Sequence, residues 1–148
     1  GAGSGSVAIE AAMLSPEGQV YAIEMDAEDY NLLVENARSF GADHVIPILG
    51  EAPHAWQELP DPHAVFVGGT GRAVVGLVEA AWERLRRGGR LVVSVASIDN
   101  LTATEEALRK LGGEPKVLMV NISRGQRQLD VLRLEAANPS FLLSARRP

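Results

Sequence analysis

Gln19-Val20-Tyr21-Ala22-Ile23-Glu24-Met25-Asp26 decides the fold. Its first five residues form a nearly continuous apolar run, the pattern of a strand covered on both faces in a parallel sheet. Glu24 closes the run. Asp26 then stands where it can cap a helix whose apolar residues Tyr30, Leu33, Val34, Ala37 and Phe40 recur with helical spacing until Gly41 ends it. A buried strand leading directly into an amphipathic helix is one βα unit, and the rest of the chain repeats it.

Downstream, Val45-Ile46-Pro47-Ile48-Leu49, Ala64-Val65-Phe66-Val67 and Leu91-Val92-Val93-Ser94-Val95 are further strands. One intervening helix carries Val74, Val75, Val78, Ala81, Trp82 and Leu85 and stops at Arg86-Arg87-Gly88-Gly89, where cations suit the helix dipole. Another runs from about Asn100 to Leu111 and ends at Gly112-Gly113. Pro115–Ile122 and Phe141–Ser144 follow as strands with no helix between them, which predicts an antiparallel C-terminal hairpin on a mostly parallel sheet. Upstream, Gly1-Ala2-Gly3-Ser4-Gly5 opens a helical run, Val7–Leu14. A glycine turn of this kind is delivered by a strand, and none precedes Gly1. The expectation is therefore one α/β domain over residues 1–148, truncated at its N-terminus and lacking its first, central strand.

Composition agrees with one such domain: 148 residues, 46% hydrophobic, 22% charged, mean hydropathy +0.02. Acids outnumber bases 19 to 14 and the isoelectric point is near 5.2, which argues against nucleic acid or an anionic membrane as partner. The absence of cysteine excludes disulfides, thiolate metal sites and cysteine nucleophiles, and makes the cytoplasm the default location. No apolar run has the length of a membrane span, and the N-terminus lacks the features of a signal peptide. Charge is uneven: residues 1–107 hold 16 acids and 6 bases, residues 108–148 hold 3 acids and 8 bases. His44, His54 and His63 show no metal-ligand spacing and read as structural or surface residues.

The glycine loop lets a ligand approach the backbone and points N–H groups at it. The dinucleotide pattern G-x-G-x-x-G wants Gly or Ala where this chain has Ser6, whereas Gly5 suits the G-x-G-x-G loop of S-adenosylmethionine enzymes; an ordinary tight turn is the plain alternative. Glu24 lies 19 residues after Gly5, at the spacing where an acid accepts from both ribose hydroxyls of a nucleoside. Met25 is placed to cover an adenine. Gly50-Glu51-Ala52 follows a strand at the carboxyl edge where open α/β sheets bind ligands. Val67-Gly68-Gly69-Thr70-Gly71 lacks the Asn-Pro-Pro-aromatic motif of amino-group methylation, and a chain without cysteine disfavours cytosine C5 methylation through a thiolate adduct. The small, open loop that remains admits a large flat substrate beside a methyl donor, with Gly68 assigned to the donor and Gly69 and Thr70 to the substrate.

Gly1-Ala2-Gly3-Ser4-Gly5-Ser6-Val7, Ile23-Glu24, Gly50-Glu51-Ala52-Pro53, Val67-Gly68-Gly69-Thr70-Gly71, Asn121-Ile122-Ser123-Arg124-Gly125 and Asn138-Pro139 together resemble the decarboxylating precorrin methyltransferases of cobalamin biosynthesis. That family comprises free cobalt-precorrin-6B (C-15)-methyltransferases and the C-terminal halves of precorrin-6Y C-5,15-methyltransferases. The resemblance implies a class I, Rossmann-like methyltransferase fold. It implies S-adenosyl-L-methionine held by Gly1, Ala2, Gly3, Ser4, Gly5, Glu24, Met25, Gly50, Glu51, Ala52 and Gly68, with no resident metal. It implies a tetrapyrrole substrate whose acetate and propionate groups Arg124 would bind, with Arg127 and Arg133 in the same basic region, and a homo-oligomer, a tetramer being the expected form. No general base stands out and no catalytic side chain is assigned. Two alternatives stay open: another class I methyltransferase of a small molecule or protein, and a non-catalytic S-adenosylmethionine-binding domain.

Overall fold

The computed structural model describes residues 1–69 and 71–148. Contacts divide the chain into two units, Gly1–Pro60 and Asp61–Pro148.

The first unit contains α1 (Ser6–Leu14), β1 (Val20–Glu24), α2 (Ala27–Ser39), β2 (Val45–Leu49) and a 3-10 turn at His54–Trp56. β1 and β2 are parallel, in register from Val20 opposite Val45 to Glu24 opposite Leu49. Asp26 caps α2 as its position suggests, its carboxylate accepting from the N–H groups of Glu28 (2.9 Å) and Asp29 (3.1 Å). The other end closes in a Schellman motif: Gly41, at φ +64°, donates to the Arg38 carbonyl, and Ala42 donates to Ala37. The helical spacing buries Leu33 and Ala37 of α2 with Ile9 and Ala12 of α1 and Ala22 and Val45 of the strands. His44 Nε2 lies 2.7 Å from the Ala12 carbonyl and ties the start of β2 to α1, the structural role its position suggests.

The second unit contains β3 (Ala64–Val67), a 3-10 turn at Gly71–Ala73, α3 (Val74–Arg84), β4 (Arg90–Val95), α4 (Ile98–Lys110), β5 (Lys116–Val120), β6 (Ser123–Gln128), β7 (Val131–Ala136) and β8 (Ser140–Arg146). Its four-stranded sheet has the order β3-β4-β8-β5, with β3 and β4 parallel and β8 antiparallel to both β4 and β5. Alternation along β4 and β8 buries Leu91, Val93, Val95, Phe141, Leu143 and Ala145, against which Val74, Val78, Ala81 and Trp82 of α3 and Ala107 and Leu108 of α4 are also buried. α4 begins two residues before the expected start because Ser97 caps it, accepting from Asn100 N–H (3.2 Å). It ends in a second Schellman motif at Gly112 and Gly113.

The antiparallel pairing expected of the last two strands is that of β5 with β8. The chain between them adds an unforeseen hairpin, β6–β7, joined by Leu129 and Asp130 at φ +48° and +62°. Two consecutive left-handed residues give the turn whose twist matches an antiparallel pair. Part of the basic C-terminal region is structural: Arg146 donates to the Gly88 carbonyl (2.9 Å), and Arg147 donates to the carbonyls of Glu83 (2.8 Å) and Leu85 at the end of α3. No helix among the described residues is long and apolar enough to cross a membrane.

Candidate functional site

In the first unit, the carboxyl edge of β1 and β2 gathers the glycine loop, Glu24 and Gly50. Glu24 ends β1 with only 5% of its surface exposed. Its Oε2 accepts from Gly3 N–H (2.7 Å) and its Oε1 from Met25 N–H (2.8 Å) and Asp26 N–H (2.9 Å). Burial opposes ionisation, but the N–H donors of Asp26 and Gly3, the nearby terminal ammonium of Gly1 and the N–H of Met25 together outweigh it and hold the carboxyl below the usual carboxylate range. An ionised carboxylate offers about four acceptor positions. With three backbone donors in place, about one remains for a ribose hydroxyl, rather than the two expected from spacing. Glu24 thus acts first as the clasp that fixes the loop to the strand.

The loop suits a ligand's close approach. Ala2 N–H donates to the Ile23 carbonyl (3.0 Å) and Gly5 N–H to the Ala2 carbonyl (3.0 Å), so the turn is tied at both ends. At Gly3, φ +54°, a Cβ would meet nothing within 4 Å, which leaves an open face; at Gly5, φ +90°, it would collide with Leu33. Conformation therefore favours glycine at both positions, and packing against Leu33 adds to it at Gly5. α1 has no side-chain cap, so its first N–H groups are available to a ligand. Ser4 and Glu51 are exposed, Met25 is 70% exposed, and Ala52 is half-buried before a cis bond to Pro53. Gly50 N–H donates to the Glu24 carbonyl (2.9 Å), and a Cβ there would come within 2.9 Å of Ala55 Cβ.

In the second unit, Gly68 follows β3 packed beside the Phe66 ring, and Gly69 and Gly71 take φ +68° and +53°. Thr70, assigned to the substrate, lies outside the described residues. A cavity of about 330 Å³ opens at the carboxyl ends of β3 and β4, lined by Gly69, Gly71, Ser94, Ser97, Asn100 and Ser140 among others. Asn100 Nδ2–H donates to the Gly71 carbonyl (2.9 Å) and joins α4 to the glycine loop. The serines and Asn100 were not singled out by sequence, although Ser94-Val95-Ala96-Ser97 sits at the same type of strand edge that drew attention to Gly50. Arg124 does not line this cavity. It is exposed on β6, directly across from Glu135 of β7.

An S-adenosylmethionine-dependent O-methyltransferase from Thermotoga maritima superposes over 100% of the chain and 57% of its own, with a TM-score of 0.80 at 20% identity. A precorrin-6Y C5,15-methyltransferase from Geobacter metallireducens does so over 99% and 78%, with a TM-score of 0.90 at 32% identity. The fold is that of the class I S-adenosylmethionine-dependent methyltransferases. Residues 1–143 match the precorrin methyltransferase domain, and the chain belongs to that family. It is 39% identical over 147 residues to a probable cobalt-precorrin-6B C(15)-methyltransferase (decarboxylating) from Pyrobaculum calidifontis, covering 98% of this chain and 75% of that protein. Family and fold make it a methyltransferase with S-adenosylmethionine as cofactor.

Proposed function

We propose that residues 1–148 form a single methyltransferase domain that methylates C-15 of a precorrin or cobalt-precorrin and releases the carboxyl of a ring acetate as carbon dioxide, in cobalamin biosynthesis. The reading is carried by the clasp of Glu24 on the glycine loop at the carboxyl edge of β1, in a chain matching the family over residues 1–143. The name of the Pyrobaculum relative supports the substrate and the decarboxylation.

The open face at Gly3, the uncapped start of α1 and the ionised Glu24 fit a nucleoside with a charged tail. Gly1, Ala2, Gly3, Ser4 and Gly5 would hold the cofactor by backbone, Glu24 by its remaining acceptor position, Met25 by apolar cover, and Gly50, Glu51 and Ala52 from the loop after β2. Gly68 keeps its proposed cofactor role on its position after β3. When bound, S-adenosylmethionine supplies a methyl group already activated by its sulfonium. The chain's residues therefore serve chiefly to hold and align the reactants, an effect worth up to about 7–11 kcal/mol. Gly69 and Thr70 are proposed to face the tetrapyrrole and Arg124 to bind one of its carboxylates.

The acidic, cysteine-free composition supports a cytoplasmic setting. We propose a homo-oligomer, a tetramer, for the assembly; Leu118, Met119, Leu132 and Leu134 are more than half exposed and supply apolar surface for it to cover. Calorimetry tests the cofactor site. S-adenosylhomocysteine should bind, and Glu24→Ala should weaken it by about 1–3 kcal/mol through loss of the clasp and of the ribose contact. An unchanged affinity removes Glu24 from the site, and no binding to the unaltered protein removes the reading.

A further inference from the structure

We infer that the cavity at the carboxyl ends of β3 and β4 is the subsite for the carboxylate side chain that the reaction removes; this rests on the methyltransferase reading above. Beside the apolar Val95 and Ala96, the cavity presents the side chains of Ser94, Ser97, Asn100 and Ser140 as hydrogen-bond donors. Ser94 is half-buried on β4 between the buried Val93 and Val95, and Ser140 opens β8 opposite Val120 of β5. Ser97 Oγ already accepts from Asn100 N–H, which directs its own proton elsewhere. One Nδ2 proton of Asn100 is committed to the Gly71 carbonyl, which fixes the carboxamide and leaves the other to donate. A carboxylate is acceptor-only with about four positions, and this set complements it. Gly69 and Gly71, both at positive φ, lie on the rim. About 330 Å³ holds a carboxymethyl group together with the edge of the ring that carries it.

Among the described residues the lining donors are neutral, which also suits a carboxylate that must be lost. Hydrogen bonds from hydroxyls are weaker than a charge-assisted guanidinium fork, so the group is oriented without deep stabilisation of its anionic ground state. In the step itself the bond between the methylene and carboxyl carbons breaks, and its electron pair passes to the methylene carbon and the conjugated ring. Carbon dioxide leaves, and a proton from water completes the methyl group.

The acetate-bearing tetrapyrrole substrate and its decarboxylated, methyl-bearing product separate this role from a general one, because only the first has the carboxylate. Titrate each into the unaltered protein and the Ser94→Ala/Ser140→Ala double variant, with S-adenosylhomocysteine present. The double variant should bind the substrate about tenfold more weakly, the product within twofold of the unaltered protein, and S-adenosylhomocysteine unchanged. Ser140→Thr, which keeps a hydroxyl at an exposed position, should retain the preference for substrate. Equal weakening of substrate and product, or no change in either, overturns the assignment. Failure of the unaltered protein to bind either tetrapyrrole overturns instead the reading on which it rests.

Discussion

Glu24 concentrates the residue-scale physics of the cofactor site. A carboxylate with 5% exposure is tolerable because three backbone N–H groups replace its water, one from the glycine loop (Gly3) and two from the turn that leads into α2 (Met25 and Asp26). Because its folded-state pKa is depressed, ionised Glu24 contributes stability that is fully present above the unfolded value, near 4.3, and is lost as pH falls through the folded value. Glu24→Gln, which cannot ionise and presents an amide to N–H donors, should melt below the unaltered protein at pH 7, with the gap narrowing as pH drops under about 4.3. Melting curves across that range check it, and a gap independent of pH contradicts the clasp. The sequence showed Glu24 as a ligand residue through its spacing. It did not show the occupied acceptor positions, since those depend on where a turn aims its amides.

At the scale of elements, the helices were legible because apolar periodicity, N-caps and terminal glycines all agree: Asp26 and Gly41 bound α2, and Gly112-Gly113 ends α4 where expected. The β6–β7 hairpin was not legible. Ser123–Gln128 has no apolar alternation and the turn uses Leu129 and Asp130 rather than an Asn-Gly pair, so the alternation of Leu132, Leu134 and Ala136 with Arg133 and Glu135 in β7 had no partner strand or turn signal beside it. The hairpin carries Arg124, for which the cross-strand neighbour Glu135 offers a purely structural partner. If Arg124 instead binds a substrate carboxylate, Arg124→Ala should lower kcat/KM for the tetrapyrrole with S-adenosylmethionine affinity unchanged. Arg124→Lys should recover only part, because a point charge does not replace a bidentate fork. Unaltered kcat/KM in Arg124→Ala would leave it a hairpin surface residue.

For the whole molecule, sequence rhythm revealed the α/β class and the presence of parallel strands, but neither which strands pair nor the insertion of β8 between β4 and β5. Strand order depends on long-range pairing that a local apolar pattern does not encode. Substrate chemistry was legible only through the family resemblance that several loop motifs carry together, and the cavity took shape only where β4, α4 and β8 meet at one edge. The proposed activity of this chain couples methyl transfer to decarboxylation of a precorrin. Incubation with methyl-labelled S-adenosylmethionine and an acetate-bearing precorrin or cobalt-precorrin, followed by mass spectrometry of the tetrapyrrole, tests it most directly. The product should have gained one labelled methyl and lost one carbon dioxide; a tetrapyrrole recovered unlabelled, with every carboxyl intact, under conditions where S-adenosylmethionine binds overturns the proposed activity.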